Sequence, residues 1–240
     1  MKIIKIYQKH FIIFLNSKFK NILNLISEKN FFNKLQESEY SGRQKIFYFI
    51  FENKKIMVRQ NFHGGLFSFL NNKFFLYSRF INEFILHNYL FYNNFATIKP
   101  IGVFIIKKKY FYNSYYLTIE ANAKNLYTYL KEQNQKIDFE FFEKITNKFY
   151  ELIFKYNIFH NDLQVKNILL KNDEILIIDF NKSKKIFNFH RFFFLLNIFR
   201  FYGSLKKNNL ISDEEILNKI LLNYNFDLNK IIKKILIKLM

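Results

Sequence analysis

The sequence predicts an α+β fold in two lobes, and three observations carry that prediction. Runs rich in β-branched and aromatic residues dominate the first half, with one helical pattern among them. Helical spacing dominates the second half, interrupted by two short apolar runs. The pattern changes at Asn122, so lobes of residues 1–121 and 122–240 are expected. Together they make one domain of 240 residues, long enough to bury a sizeable core.

The elements follow in order. Residues 44–52 and 55–60 read as a hairpin around the polar pair Asn53-Lys54. Phe80, Phe84, Leu86 and Leu90 recur at near-helical spacing, which predicts a helix over 78–92 stopped by Asn93-Asn94. Strands are expected at 101–106 and 115–120, divided by a basic turn that contains Asn113. Behind Asp138, a natural N-cap, residues Phe141, Phe142, Ile145, Phe149, Leu152, Ile153 and Tyr156 line one face of a helix over 138–156. Short strands at 168–170 and 175–178 come next, then helical patterns at 186–201, 213–222 and 227–239. There is no internal repeat, heptad seam or Pro/Ser-rich linker, and Pro100 is the single proline.

Composition narrows the partners. Cysteine is absent, which removes disulfides and thiolate metal sites and fits a reducing compartment. With 38 basic and 19 acidic residues the net charge is +19, a balance that favours nucleic acid, phosphorylated substrates or an acidic membrane surface. Against selection for charge stands compositional drift: only five of the basic residues are Arg, and the chain is crowded with Asn, Ile and Phe. No stretch has the length of a membrane span. Phe11 to Leu15 is too short even for a signal-peptide core, and Phe192 to Phe199 is bounded by Arg191 and Arg200. The chain is therefore expected in the cytoplasm, where it can attach to a membrane face.

The chemistry concentrates in "IFHNDLQVKNILLKNDEILIIDF", residues 158–180. Phosphoryl transfer needs an acceptor for a hydroxyl proton, oxygen ligands for Mg²⁺ and positive groups on the phosphates. His160, Asp162 and Asn167 keep the spacing of a catalytic loop of the form H-x-D-x-x-x-x-N, and Asp179-Phe180 follows a β-type run. Asn167 and Asp179 offer the hard oxygen donors that suit Mg²⁺. Taken singly each residue reads as a turn, a cap or a strand end; the four at this spacing read as a site. The segment resembles the protein-kinase-like superfamily, particularly its small-molecule branch. Asn181 stands where D-F-G has its Gly, and Gln164 where many protein kinases carry Lys.

The first lobe narrows the resemblance. "MVRQNFHGGLFSFL" (57–70) puts Arg59 in a strand before paired glycines, and "SRFINEF" (78–84) supplies Arg79 and Glu83. From about Gly42 through Asp179 the chain resembles the 3-deoxy-D-manno-octulosonic acid (Kdo) kinase family of lipopolysaccharide core assembly. The resemblance implies a two-lobed protein-kinase-like fold, with a β-rich nucleotide-binding N-lobe and a helical C-lobe. It implies ATP- and Mg²⁺-dependent phosphorylation of the 4-hydroxyl of Kdo on a lipid A precursor, at the cytoplasmic face of the inner membrane. Asp162 is then expected to take the hydroxyl proton, while His160 organises the loop. Arg59 takes the usual strand-Lys place on the phosphates, held by Glu83. Gly42 and Arg43 match part of a Gly-Arg-Gly phosphate turn, with Gln44 in place of its second Gly, and His63 stands where an Arg is expected.

Two other readings compete. A small atypical protein kinase of the tRNA-modification complex type would keep D-F-G and lack Gly-Gly. A catalytically silent lipid- or nucleic-acid-binding module would use the charge and the aromatic residues, but intact Asp162, Asn167 and Asp179 argue against silence. The interleaved "KIFNFHRFFFLLNIFR" has the makings of a base-stacking surface, yet its helical spacing assigns it to packing. No nucleic-acid partner is expected.

Overall fold

The computed structural model describes residues 2–26, 31, 35–41, 45–62, 69–76, 78–211 and 215–226. They group into two compact units, Met1–Asn122 with Ile178–Lys182, and Ala123–Ile177 with Ser183–Met240. The expected helix over 227–239 and the Gly42–Arg43 and His63–Gly65 segments lie outside the described residues.

The first unit contains β1 (Ile3–Tyr7), β2 (Phe11–Asn16), α1 (Ile22–Ile26), β3 (Gln36–Ser41), β4 (Lys45–Phe51), β5 (Lys54–Gln60), α2 (Ser78–Tyr92), β6 (Pro100–Lys107) and β7 (Tyr112–Ile119). Its strands form one antiparallel sheet in the order β1-β2-β6-β7-β5-β4-β3. The β4–β5 turn is Glu52-Asn53, one residue earlier than Asn53-Lys54, because Lys54 already pairs with Phe51. Both turn residues have positive φ, 47° and 58°, as a two-residue type I′ hairpin demands.

Strand β2 explains the apolar stretch near the N-terminus. Ile13 and Leu15 join a cluster with Ile22, Ile56 and Val58, while Ile12 and Phe14 join one with Phe80, Phe84, Val103 and Ile105. Covered on both faces, the strand reads as an unbroken apolar run rather than an alternation. At Gly102 on β6 the neighbouring strand comes so close that a Cβ would sit 2.6 Å from the Phe14 carbonyl oxygen. Helix α2 buries Phe80, Glu83, Phe84 and His87 along one face. It ends where Asn94 turns left-handed (φ 62°) and the Phe95 N–H donates to the Leu90 carbonyl.

The second unit is mostly helical. It holds β8 (Lys124–Asn125), α3 (Leu126–Glu132), α4 (Phe139–Tyr150), β9 (Ile158–Phe159), β10 (Ile168–Lys171), β11 (Glu174–Ile177), β12 (Lys184–Lys185), α5 (His190–Lys207) and α6 (Glu215–Asn223). The Asp138 side chain caps α4 by accepting from the Phe141 N–H at 2.8 Å. The expected 138–156 helix changes winding partway: Glu151–Lys155 is a π-helical turn. Helix α5 begins at His190, not at residue 186, because Phe189 is left-handed (φ 62°) and breaks the turn. It buries Phe194, Ile198, Phe201 and Leu205 at helical spacing, with Phe201 stacked on Phe142 of α4 at 5.5 Å. One unit built on a seven-stranded antiparallel sheet with one long helix and a second that is mainly helical are the α+β layout expected, consistent with a kinase-like two-lobed fold.

Candidate active site

In the first unit three charged residues from distant segments meet. Arg59 on β5 lies opposite Tyr116 of β7. Its Nη2 donates to Glu83 Oε1 at 2.6 Å and its Nη1 to Asp179 Oδ1 at 2.9 Å. One planar guanidinium thus bridges two carboxylates, a geometry that an ammonium group cannot match. Asp179 has φ 65°, a left-handed conformation that Asp tolerates better than most residues and that recurs at functional sites. Next to it Phe180 is buried against His87 (5.0 Å between rings) and Phe95 (6.5 Å). Arg79 Nε donates to Asn181 Oδ1 at 2.6 Å, giving the residue in the D-F-G glycine place a side-chain partner.

The electrostatics of this cluster are unequal. Burial works against the Arg59 charge, but Asp179 and Glu83 outweigh it and raise its pKa, so the guanidinium stays charged. Burial pushes the Glu83 carboxyl up to about 7; Arg59 opposes the rise and the Asp179 charge reinforces it. Because arginine does not titrate, Glu83 carries the proton balance of the pair. Glu83 is almost wholly inaccessible, whereas the Asp179 side chain is 32% exposed.

A polar network behind the cluster escapes a reading of spacing alone. The Arg59 guanidinium lies over the Tyr116 ring at 5.5 Å. The Tyr116 hydroxyl is 2.9 Å from His87 Nδ1, and His87 Nε2 is 2.9 Å from Thr97 Oγ1. Burial, with a lesser contribution from Arg59, lowers the His87 pKa to about 3 and keeps the imidazole neutral. The sequence signal was present: Glu83 and His87 interrupt an otherwise apolar helical stripe, one turn apart.

In the second unit the loop between β9 and β10 is organised by its own short-range bonds. His160 is fully buried, and its Nδ1 accepts from the Asp162 N–H at 3.3 Å. Gln164 Nε2 donates to Asp162 Oδ1 at 2.7 Å, so the residue in place of Lys steers the carboxylate. Asn167 Nδ2 donates to the Asp162 carbonyl at 2.7 Å, which uses one of its two amide N–H groups; the amide oxygen is the atom with the chemistry to take a cation. Leu163 and Val165, both fully buried, pin the loop, and the Val165 N–H donates to Ser204 Oγ of α5 at 3.2 Å. Sequence reasoning missed Ser204. The Gly42–Arg43 turn is outside the described residues, so its contacts do not enter the site.

The family model described as the Lipopolysaccharide kinase (Kdo/WaaP) family matches residues 37–208, well over half the chain. The chain belongs to this family. The match spans Arg59, Glu83, Asp162, Asn167 and Asp179. No curated protein matches the sequence. As a member of a lipopolysaccharide kinase family the chain is a phosphotransferase by kinship, and kinases of this kind generally use ATP and Mg²⁺. Among the described residues no group of three or more His, Cys, Asp or Glu is arranged to hold a metal ion. Among the described residues, too, no helix is long and apolar enough to cross a membrane.

Proposed function

We propose that this kinase transfers the γ-phosphoryl group of ATP to the 4-hydroxyl of a Kdo sugar on a lipid A precursor. The reaction would run peripherally at the cytoplasmic face of the inner membrane. The observation that carries the reading is Arg59 bridging Glu83 and Asp179. A cation and an anion held together each match one half of a Mg²⁺–nucleotide: the guanidinium suits phosphate oxygens, the carboxylate suits the metal. Family kinship supplies the acceptor class.

The residues divide the work. Asp162 would accept the sugar hydroxyl proton, its carboxylate aimed by Gln164. His160 would hold the loop rather than carry a proton, since its Nδ1 is already used on the Asp162 N–H. Asn167 and Asp179 would supply oxygen ligands to Mg²⁺, whose chemistry is to neutralise the charge of the phosphates during transfer. Arg59 would bind the phosphates, with Glu83 fixing its fork.

The test is direct. The purified protein is incubated with ATP, Mg²⁺ and a Kdo-bearing lipid A precursor, and acceptor mass is followed; a gain of one phosphate, absent when the acceptor lacks Kdo, is expected. Asp179→Ala should raise the Mg²⁺ requirement and weaken ATP use more than acceptor binding. Phosphate gain on protein substrates but not on the lipid would reject the reading in favour of an atypical protein kinase.

A further inference from the structure

Residues 187–192 carry three exposed phenylalanines: Phe187 is 84% exposed, Phe189 77% and Phe192 56%. The first two are the most exposed large apolar residues among those described. The sequence assigned this stretch to helical packing, and the structure divides it. Phe194, Ile198 and Phe201 enter the core, while Phe187, Phe189 and Phe192 do not.

The backbone presents these rings rather than merely leaving them out. On one side the buried Ile186 donates its N–H to the Asn157 carbonyl at 2.8 Å, and Lys184 and Lys185 pair with Phe159 and Ile158. On the other side His190 Nε2 meets Asn157 Oδ1 at 2.6 Å as α5 begins. Between these anchors Phe189 sits at φ 62°, ψ 32° as the residue before the helix, with no side-chain cap bond. Asn or Gly suits that conformation, and for a bulky ring it is an outlier. Folding gains nothing from Phe at this position, because the ring is exposed and the backbone strained.

The surroundings name the partner. Lys184 and Lys185 precede the three rings and Arg191 lies between the second and third; all three residues are exposed. Lys184 Nζ also lies over the Phe159 and Phe193 rings. Arg191 lies over the Phe226 ring, where it donates to the Asn225 carbonyl at 3.1 Å. From Asp179 to Asp213 the chain has no acidic residue. Aromatic rings next to cations, in a stretch of chain without carboxylates, complement an anionic lipid interface, where rings enter the headgroup boundary and Lys and Arg meet the phosphates. We propose that Phe187, Phe189 and Phe192, flanked by Lys184, Lys185 and Arg191, are the segment that docks this kinase on an acidic bilayer. The need for docking rests on the proposed lipid-linked acceptor; the docking itself does not require that particular sugar.

The experiment measures partitioning of the full chain onto phosphatidylcholine vesicles with and without phosphatidylglycerol. The wild type is expected to prefer acidic vesicles. The combined Phe187→Ser, Phe189→Asn and Phe192→Ser variant should lose about tenfold in partitioning with the fold intact. Lys184→Gln with Lys185→Gln should lose roughly fivefold per charge, on acidic vesicles alone. Phe189→Asn by itself is the sharpest arm: it should raise the melting temperature by relieving the left-handed strain while it weakens vesicle binding. Wild-type partitioning by the triple-Phe variant, or equal binding of the wild type to neutral and acidic vesicles, overturns the proposal. So does loss of single-stranded oligonucleotide binding in that variant while vesicle binding persists. Phosphorylation of a detergent-dispersed Kdo acceptor is assayed in parallel. Segment-dependent docking without phosphorylation would reject the substrate and keep the surface; phosphorylation without segment-dependent docking would do the reverse.

Discussion

The loop at 160–167 and the Arg59 cluster are built in opposite ways. In the loop, the side-chain bonds that shape Asp162 span two to five residues: His160 to Asp162, Gln164 to Asp162, Asn167 to Asp162. In the cluster, Arg59 reaches Glu83 across 24 residues and Asp179 across 120. The loop's geometry is therefore encoded in spacing, whereas the cluster exists only once the sheet, α2 and the segment at 178–182 have assembled. Local networks tolerate stress elsewhere in the fold; an assembled one reports on it. The difference separates two kinds of failure, loss of chemistry and loss of positioning.

The largest effect should come from breaking chemistry alone. Asp162→Asn keeps the size of the side chain and an acceptor for Gln164, but cannot take a proton. A fall of ~10²- to 10⁴-fold in kcat is expected, the usual range for losing a general base. Melting temperature and nucleotide affinity should stay at wild-type values. Steady-state kinetics paired with a nucleotide-binding titration would check this, and near-normal turnover would remove Asp162 from the base role.

A smaller effect should come from breaking positioning while keeping charge. Arg59→Lys preserves the cation but gives up the planar fork, so a single ammonium cannot hold Glu83 and Asp179 as the guanidinium does. Losing one charge-assisted hydrogen bond is worth about 1.5–3 kcal/mol, or roughly tenfold to a hundredfold in kcat/KM for ATP. The loss should be concentrated in the KM for ATP, in contrast to Asp162→Asn. An unchanged ATP dependence in Arg59→Lys would mean that the bridge is incidental to nucleotide binding.

The same contrast explains what the sequence made legible. The spacing of His160, Asp162 and Asn167, the strand bearing Arg59, helix α2 and the Asp138 cap all depend on neighbours within a few residues, and they are readable without the fold. The His87–Tyr116–Thr97 chain is not, because Tyr116 is placed opposite Arg59 only by the β5–β7 register. Strand β2 escaped because burial on both faces erases the alternation that marks a strand. The short α3 escaped although Asn125 caps it, accepting from the Thr128 N–H at 2.9 Å. The false helical start at 186 has a different cause: nothing in the identity of a phenylalanine announces a left-handed backbone at Phe189.

The smallest effect concerns protons in the assembled cluster. Burial raises Glu83 from 4.5 in its unperturbed state to about 7, so the folded chain holds a proton there that the unfolded chain has released between those values. A raised acid favours folding fully below about 4.5, and that contribution is lost as pH climbs through about 7. Glu83→Gln imitates the protonated carboxyl at every pH. At pH near 5 variant and wild type should therefore melt alike, and toward pH 8 the wild type should fall behind by roughly 2–4 °C for each kcal/mol involved. Thermal melts of both proteins across this range measure the difference directly. If the gap stays flat or reverses with rising pH, the attraction of Arg59 outweighs burial, and Glu83 is an ordinary ionised partner. If it opens as expected, Arg59 keeps its full pair of carboxylates only above neutrality. The ATP dependence of the kinase should then sharpen over the same interval, while the Glu83→Gln variant shows no such change.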